Sequence, residues 1–396
     1  MPPAIYALLL VNFAVGTQGF VFGGLLAELA RDLGVGTGTA GLAITASAAT
    51  FAVSAPVFAV LLARAERRAI LLAGLALLLL GNAACALAPS FAVLVSLRVV
   101  TGLGAGLVGA VSGATAAQLV APEKRGRAMA LVLGGLTLAF TLGLPLGSAA
   151  GGVFGWRACF VLSAALAAVA TAVLCVVMPK VAAVPGPRPS PAALLAIPAV
   201  RAAFATNFLA FAGSFCVVAF TGPLVNAVTG YFGAAVGPFQ ACIGLGSILG
   251  LAWGGRAADG PGTRRVLTLS ILVLSGCLLG FAALLAGWAG LLAAPLLGAA
   301  IFANAAALFA MVPVLQNRLA AVAGVATPLA LALNGSLVSL GQGAGAAIGG
   351  AVKDAAGFAA AGLAGAVIVL AALVMARGVL PATAPASTAP GRASRG

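Results

Sequence analysis

The chain is a succession of apolar runs of about 20 residues, the length a helix needs to cross a hydrocarbon layer of roughly 30 Å, and the gaps between runs are basic at every second position. Sixteen of the 20 Lys and Arg residues fall in those alternate gaps and the tail: Arg64/Arg67/Arg68, Lys124/Arg125/Arg127, Lys180/Arg188/Arg201, Arg256/Arg264/Arg265, Arg318, and Arg377 with Arg392/Arg395. The intervening gaps hold only Arg31, Arg157 and Lys353. Short Lys/Arg-rich loops stay on the cytoplasmic side of a membrane. The alternation therefore predicts both termini inside and an even number of crossings.

Composition excludes a soluble domain. With 63% hydrophobic and 7% charged residues and a mean hydropathy of +1.21, too little polar surface exists to face water. The formal charge of +14 suits loops lying against anionic headgroups, so the expected partner is the bilayer and not nucleic acid. Six cysteines lie inside apolar runs with no CxxC, and there is no His to complete a metal site. They read as packing residues, and neither a metal nor a cofactor is expected. Met1 to Leu10 has no Lys or Arg before its apolar stretch and no clear cleavage site after it, so the first run is expected to stay as a helix.

Cutting at polar or Pro-rich gaps gives twelve runs, at 5–27, 38–62, 69–88, 91–119, 128–150, 158–178, 203–226, 236–255, 266–286, 290–314, 326–350 and 357–376. The stretch from Pro179 to Pro198 carries six prolines and neither spans nor packs. The expected organisation is a six-helix bundle over 1–178, a cytoplasmic linker over 179–202, a second six-helix bundle over 203–376 and a disordered cytoplasmic tail over 377–396.

The halves also repeat. Gly143, Gly147 and Gly151 stand four apart in run five, and Gly341, Gly345 and Gly349 do so six runs later; Gly246, Gly250 and Gly254 form a third stripe in run eight. Glycines at this spacing make a flat helix face that another backbone can approach closely, although ordinary helix packing uses the same pattern. The predicted fold class is an all-α membrane protein with twelve transmembrane helices in two pseudo-symmetric six-helix bundles.

These residues resemble the twelve-helix efflux branch of the major facilitator superfamily, which includes drug:proton antiporters and arabinose-efflux-like permeases. Leu142 to Gly147 (LGLPLG), Gly151/Gly152 and Phe154-Gly155-Trp156-Arg157 look like its fifth-helix antiporter motif and the turn after it. Leu97-Arg98 with Gly102, Gly104 and Gly106 is similar to its fourth-helix motif, and Gly255-Arg256-Ala257-Ala258-Asp259 leading to Gly262 and Arg264/Arg265 is similar to its loop between helices eight and nine. The first-half copy of that loop keeps Arg64, Arg67 and Arg68, but Ala59 and Glu66 replace usual glycines and Ala63 a usual Asp. The resemblance implies a major facilitator fold, substrate binding near mid-membrane between the bundles, and a gating role for these loops through charge pairs. Glu66 is the candidate to take over the missing carboxylate, and the glycine stripes on runs five, eight and eleven are expected to give sliding contacts. The alternative for the loop arginines is that they only enforce orientation.

Arg98 is the most informative single residue, because a cation within a crossing must face the bundle interior or a water-filled cavity unless it snorkels to the headgroups. Relatives of this branch commonly carry a carboxylate midway along helix one, where this chain has Thr17-Gln18-Gly19-Phe20. Two readings follow. Glu28, with Asp32 near it, reaches down to pair with Arg98 and titrates for proton coupling. Alternatively Arg98 has no protein anion, Gln18 offers a neutral oxygen, and the cavity favours an anionic or strongly hydrogen-bonding substrate. Asn12, Asn207, Asn304, Asn334 and Gln342 either line the cavity or join helices, with Gln18, Arg98, Asn304 and Asn207 the chosen cavity residues. Pro145 and Pro313 are expected to bend their helices.

The resulting expectation is a monomeric secondary transporter of the bacterial inner membrane that exports a small molecule, of drug, sugar or nucleoside class, by alternating access with proton antiport. An uncoupled facilitator or importer is the first alternative and a non-transporting membrane sensor or assembly partner the second. An enzyme is not expected, since the acids lie in loops and no phosphate-binding loop is present.

Overall fold

The computed structural model describes residues 1–182, 191–258, 263–287 and 289–379, and these form helices and connecting turns with no strand. Eleven segments are long and apolar enough to cross a bilayer. The last, Leu329–Val379, has 51 residues, about 77 Å of helix at 1.5 Å per residue, more than twice a hydrocarbon layer. Gly357, at φ 85° and ψ 174°, breaks it. Gly345 before the break faces Ala212, and Gly365 after it faces Gly213. Both arms thus lie on the same helix, the segment is a hairpin, and the crossings total twelve, as the sequence predicts.

We number the crossings α1 (Pro3–Asp32), α2 (Thr37–Leu61), α3 (Arg67–Ala86), α4 (Phe91–Gln118), α5 (Arg125–Phe154), α6 (Arg157–Val177), α7 (Pro198–Val218), α8 (Gly233–Ala258), α9 (Thr263–Leu284) and α10 (Gly290–Ala323). The arms of Thr327–Val379 on either side of Gly357 are α11 and α12. The first six form one lobe and the last six another. One end of the molecule carries the Lys/Arg-rich loops and is called the basic end.

Both lobes interrupt their first helix. The α1 helix stops after Phe20, turns through Gly23–Leu25 and resumes as Leu26–Asp32. The α7 helix stops at Val218 and resumes as Thr221–Thr229. The α5 helix widens over Ala139–Gly143 into a π-type turn just ahead of Pro145. Proline has no N–H, and its ring crowds the carbonyl four residues back; the wide turn accommodates both. Pro313, by contrast, lies within one continuous helix, Ala293–Ala323, which runs nine residues past the end expected for run ten.

The glycine stripes are places of close helix-to-helix approach, and each joins two helices of the same lobe. Gly143, Gly147 and Gly151 face Thr17, Val21 and Leu25 of α1; Gly341, Gly345 and Gly349 face Phe208, Ala212 and Cys216 of α7; Gly246, Gly250 and Gly254 face Phe302, Ala306 and Ala310 of α10. A methyl group on any of them would overlap the facing helix. The matching α5–α1 and α11–α7 seams are the internal repeat in three dimensions.

Two expected boundaries move. The α7 helix begins at Pro198 rather than 203, and the linker contains a short helix, Pro191–Ala196. Its Leu194 packs on Ala323, Ala326 and Ala330 at the α10–α11 turn, because an apolar side chain in a loop still buries its surface where a groove is available. Residues 377–379 continue α12; the rest of the expected tail, 380–396, and linker residues 183–190 lie outside the described residues.

Among the described residues, the apolar core that joins the lobes draws its first-lobe members from one end. At the end opposite the basic loops, Val21, Leu25, Ile44, Leu144 and Phe160 of the first lobe belong to one cluster with Phe211, Phe220, Ile243 and Leu308 of the second. Near the basic end the first lobe has its own core, including Leu8, Leu71, Val108 and Leu174.

Candidate functional site

Arg98 has no exposed surface. Its Nε donates to the Ala43 carbonyl at 3.1 Å, one terminal nitrogen to the Gln18 carbonyl at 2.9 Å, Gln18 Oε1 at 2.8 Å and Thr101 Oγ1 at 3.4 Å, and the other to the Gly19 carbonyl at 3.0 Å and Ser47 Oγ at 2.6 Å. A guanidinium has five N–H groups, and all are used. Phe22 and Phe160 complete the enclosure, with ring centroids 5.1 and 6.0 Å from the guanidinium carbon. The Gln18 and Gly19 carbonyls are freed by the break in α1, so Arg98 satisfies a helix C-terminus within the crossing and places a positive charge at the negative end of its dipole.

Of the two readings of Arg98, this geometry excludes the pairing with Glu28. Every partner of Arg98 is a neutral oxygen, and Gln18 is among them. Arg98 is a cross-brace between α4, α1 and α2, with Gln18 among its acceptors, and leaves no guanidinium N–H for a substrate. Glu28 is half-buried with no ion pair among the described residues. Asp32 is exposed and accepts from Trp156 Nε1 at 2.9 Å and from Arg157 at 2.5 Å, tying α1 to α6 inside the first lobe.

The basic-end loops hold no charge pair between lobes among the described residues. Arg68 donates to the Cys175 carbonyl at 2.7 Å and the Arg67 amide to the Val181 carbonyl at 3.0 Å, both toward the end of α6. Glu66 flanks the start of α3 with Oε1 buried and unpartnered. Arg64, Arg264 and Arg265 make no ion pair among the described residues, and Asp259 and Gly262 lie outside them.

Between the lobes, midway along the crossings, four phenylalanines meet. Phe20 of α1 stacks on Phe140 of α5 at 5.7 Å and contacts Phe215 of α7 at 5.2 Å; Phe140 meets Phe309 of α10 edge-on at 5.5 Å. A narrow cavity of about 10 Å³ lies beside this layer and is walled by Phe140, Phe215, Phe309, Ile243, Ser214 and Asn304. Ser214 donates to Asn304 Oδ1 at 2.7 Å, and Asn304 Nδ2 is buried with no acceptor. Asn304 is therefore both a helix-to-helix contact and a cavity wall. Asn207 donates to Asn334 Oδ1 at 2.9 Å, joining α7 to α11, and lies outside that wall; Asn12 similarly meets Ser112 at 2.6 Å.

On the far side of the aromatic layer from the basic loops, the lobes are locked. Gly222 of α7 rests on the Gly24 backbone. With its NH2 turned toward α5, Gln240 of α8 donates to Ser148 Oγ at 2.5 Å and the Leu144 carbonyl at 2.8 Å and accepts from the Gly24 amide at 3.2 Å. Thr45 Oγ1 donates to the Gly343 carbonyl at 2.8 Å. At the rim, Asp354 accepts from the Gly38 and Thr39 amides while Lys353 donates to Thr37 Oγ1 at 2.9 Å and Asp354 at 2.8 Å. These side-chain hydrogen bonds between the lobes all lie in this half of the molecule.

Sequence reasoning missed the aromatic layer, Gln240 and Asp354. The phenylalanines come from four distant runs and carry no shared spacing. Gln240 lies in the first turn of the helix Gly237–Ala258 and is 1% exposed, a buried amide near the edge of its apolar run, where a polar residue reads as part of the adjoining gap.

Two six-helix lobes joined at one end around a mid-depth cavity define a polytopic membrane protein with internal two-fold pseudo-symmetry. The chain belongs to the Major Facilitator Superfamily, which it matches over residues 8–327. It is 32% identical over 360 residues to the inner membrane transport protein YdhP of Escherichia coli K12, covering 88% of each chain. It is 34% identical over 302 residues to a chloramphenicol resistance protein of Streptomyces lividans, covering 74% of this chain and 73% of that one. In fold it is similar to a bacterial homologue of the human lysosomal transporter Spinster in an inward-facing, unoccupied conformation, at a TM-score of 0.74 and 17% identity, covering 96% of this chain and 98% of that one. It is a multi-pass transporter of that superfamily.

Proposed function

We propose that the chain exports a small organic molecule across a bacterial inner membrane by alternating access, driven by proton entry, and works as a monomer with both termini in the cytoplasm. The single observation that carries this reading is the asymmetry of the lobe contact: hydrogen bonds and backbone contacts close the end opposite the basic loops, and among the described residues no ion pair joins the lobes at the basic end. With the basic loops cytoplasmic, that is the conformation an exporter needs for loading from the cytoplasm. The aromatic layer forms the floor of the cytoplasmic approach, and rocking of the lobes would transfer the cargo past it. The name of the Streptomyces lividans relative supports the outward direction.

For coupling, the candidate is Glu28, half-buried on the segment of α1 beyond its break and in no ion pair among the described residues. Everted membrane vesicles given a pH gradient, and proteoliposomes of defined orientation, test the reading through uptake of a diverse compound set. Export that proceeds only with the gradient is expected; net import under the same conditions would overturn it. One observation favours a second reading, an uncoupled carrier: no acid lines the central cavity. Equal rates with and without a gradient would select it.

A further inference from the structure

Building on the transport reading, we propose that the inter-lobe cavity selects uncharged aromatic molecules bearing a hydrogen-bond acceptor, with Asn304 Nδ2 as the donor that recognises the acceptor.

Charge is the first discriminator. No Lys, Arg, Asp or Glu lines the cavity or the adjoining void that shares Phe140 and Phe215 with it. Arg98 is fully buried in the first lobe, and its five N–H groups are already taken by Ala43, Gln18, Gly19, Ser47 and Thr101. An anion has no free cation to meet and a cation no anion. Either would lose its hydration without replacement.

Shape is the second. Phe20, Phe140, Phe215 and Phe309 come from both lobes and touch one another across the boundary. A guest entering there separates ring from ring. A flat aromatic guest restores ring-to-ring contact on both of its faces, because offset and edge-on pairs of this kind tolerate substitution of one ring by another. A polyhydroxylated guest would strip hydrogen bonds from its hydroxyls against apolar rings.

Polarity is the third. Asn304 is 1% exposed, its Oδ1 is occupied by Ser214 and its Nδ2 has no acceptor. A buried donor left without a partner is costly and uncommon, and this one sits on the cavity wall. A carbonyl, nitro or ether oxygen on the guest would complete it. The same criterion separates Asn304 from Asn207, whose unpartnered Oδ1 lies away from the cavity.

The test measures binding of four probes to the purified full-length chain in detergent by ligand-dependent thermal unfolding. The probes are N-phenylbenzamide, diphenylmethane, N-cyclohexylcyclohexanecarboxamide and 4-phenylbenzoate. The expected result is a Kd for N-phenylbenzamide at least tenfold below that of each of the others. Asn304→Leu should abolish the preference for the amide over diphenylmethane while diphenylmethane still binds. Equal binding of amide and hydrocarbon by the unaltered protein, tightest binding of the carboxylate, or an undiminished preference in Asn304→Leu overturns the inference. If Asn304→Leu does not fold, the four-probe ranking on the unaltered protein decides alone. Gradient-driven uptake of a cationic dye such as ethidium into everted vesicles would keep the transport reading and overturn this one. The predicted ranking without export of any compound would do the reverse.

Discussion

Asp354 caps α2 at Gly38: its carboxylate accepts the Gly38 amide at 3.0 Å and the Thr39 amide at 3.1 Å, so an acid from the α11–α12 turn holds the first turn of a helix in the other lobe. The first amides of a helix have no partner within it, and the helix dipole favours negative charge there. The cap exists only while the lobes are together at this end. It belongs to one conformation, so it acts on the equilibrium between conformations.

Replacing Asp354 should therefore loosen closure at the end away from the basic loops. Loss of an N-terminal cap is worth about 1 kcal/mol, and on that basis Asp354→Ala is expected to shift the populations roughly fivefold toward the state open at that end. Spin labels at Leu87→Cys and Leu291→Cys, both exposed and on opposite lobes at this end, report the distance. A label separation unchanged from the parent would remove the latch from the argument.

A second prediction concerns Gly222. A methyl at this position would overlap the Gly24 carbonyl, backbone against backbone, with no flexible side chain to yield. Gly222→Ala should force the lobes apart, at a cost in the closed state of roughly 1–3 kcal/mol as for overpacking elsewhere. Gly335→Ala, facing open space, should leave the label distances alone and slightly raise helix stability. Closed-state distances in Gly222→Ala would show that the contact yields.

The contrast between these glycines explains how much of the molecule the sequence reveals. Helix number, lobe pairing and the repeat follow from hydropathy, basic loops and four-residue spacing, because those properties are local and periodic. The stripes at Gly143/Gly147/Gly151 and Gly341/Gly345/Gly349 are legible for that reason, and they turn out to be seams inside lobes. Contacts between lobes use isolated residues, Gly24 with Gly222 and Gly38 with Gly350, whose partners are some 200 or more positions away and leave no period. The site divides similarly. Asn304 was visible as a polar residue within an apolar run. Arg98 was visible too, but its saturation by backbone carbonyls depends on a break in α1 that spacing does not encode, and the converging phenylalanines depend on tertiary geometry alone.

Arg98 yields a stability prediction that separates bracing from substrate binding. Arg98→Leu leaves the freed carbonyls of Gln18 and Gly19 and the Ser47 hydroxyl without their donor, and each orphaned buried acceptor costs roughly 1–3 kcal/mol. A large drop in the unfolding midpoint is expected, with partial recovery in Arg98→Lys, whose ammonium has three donors in place of five. A substrate-binding role predicts the opposite pattern: an unchanged midpoint with weakened binding. Unfolding curves for both variants, with and without N-phenylbenzamide, distinguish the two.

Coupling gives the last prediction. Glu28 lies on the α1 segment beyond the break, half-buried, with Arg31 on its own helix and Cys159 of α6 as its titratable neighbours. Asp32, one turn further, is committed to Arg157 and Trp156. The segment carrying Glu28 is clamped through Gly24 to Gly222 and Gln240 of the second lobe. On the proposed rocking of the lobes, parting at this end would release the clamp and give water access to Glu28, the exchange between environments that a proton carrier requires. Glu28→Gln should abolish dependence of transport on an imposed pH gradient while substrate exchange at equilibrium persists, because the lobes can still rock with cargo bound. Asp32→Asn should leave the gradient dependence in place, since that carboxylate already has its cation. Transport by Glu28→Gln that still follows the gradient would move the proton site elsewhere, and loss of gradient dependence in Asp32→Asn alone would place it at the rim.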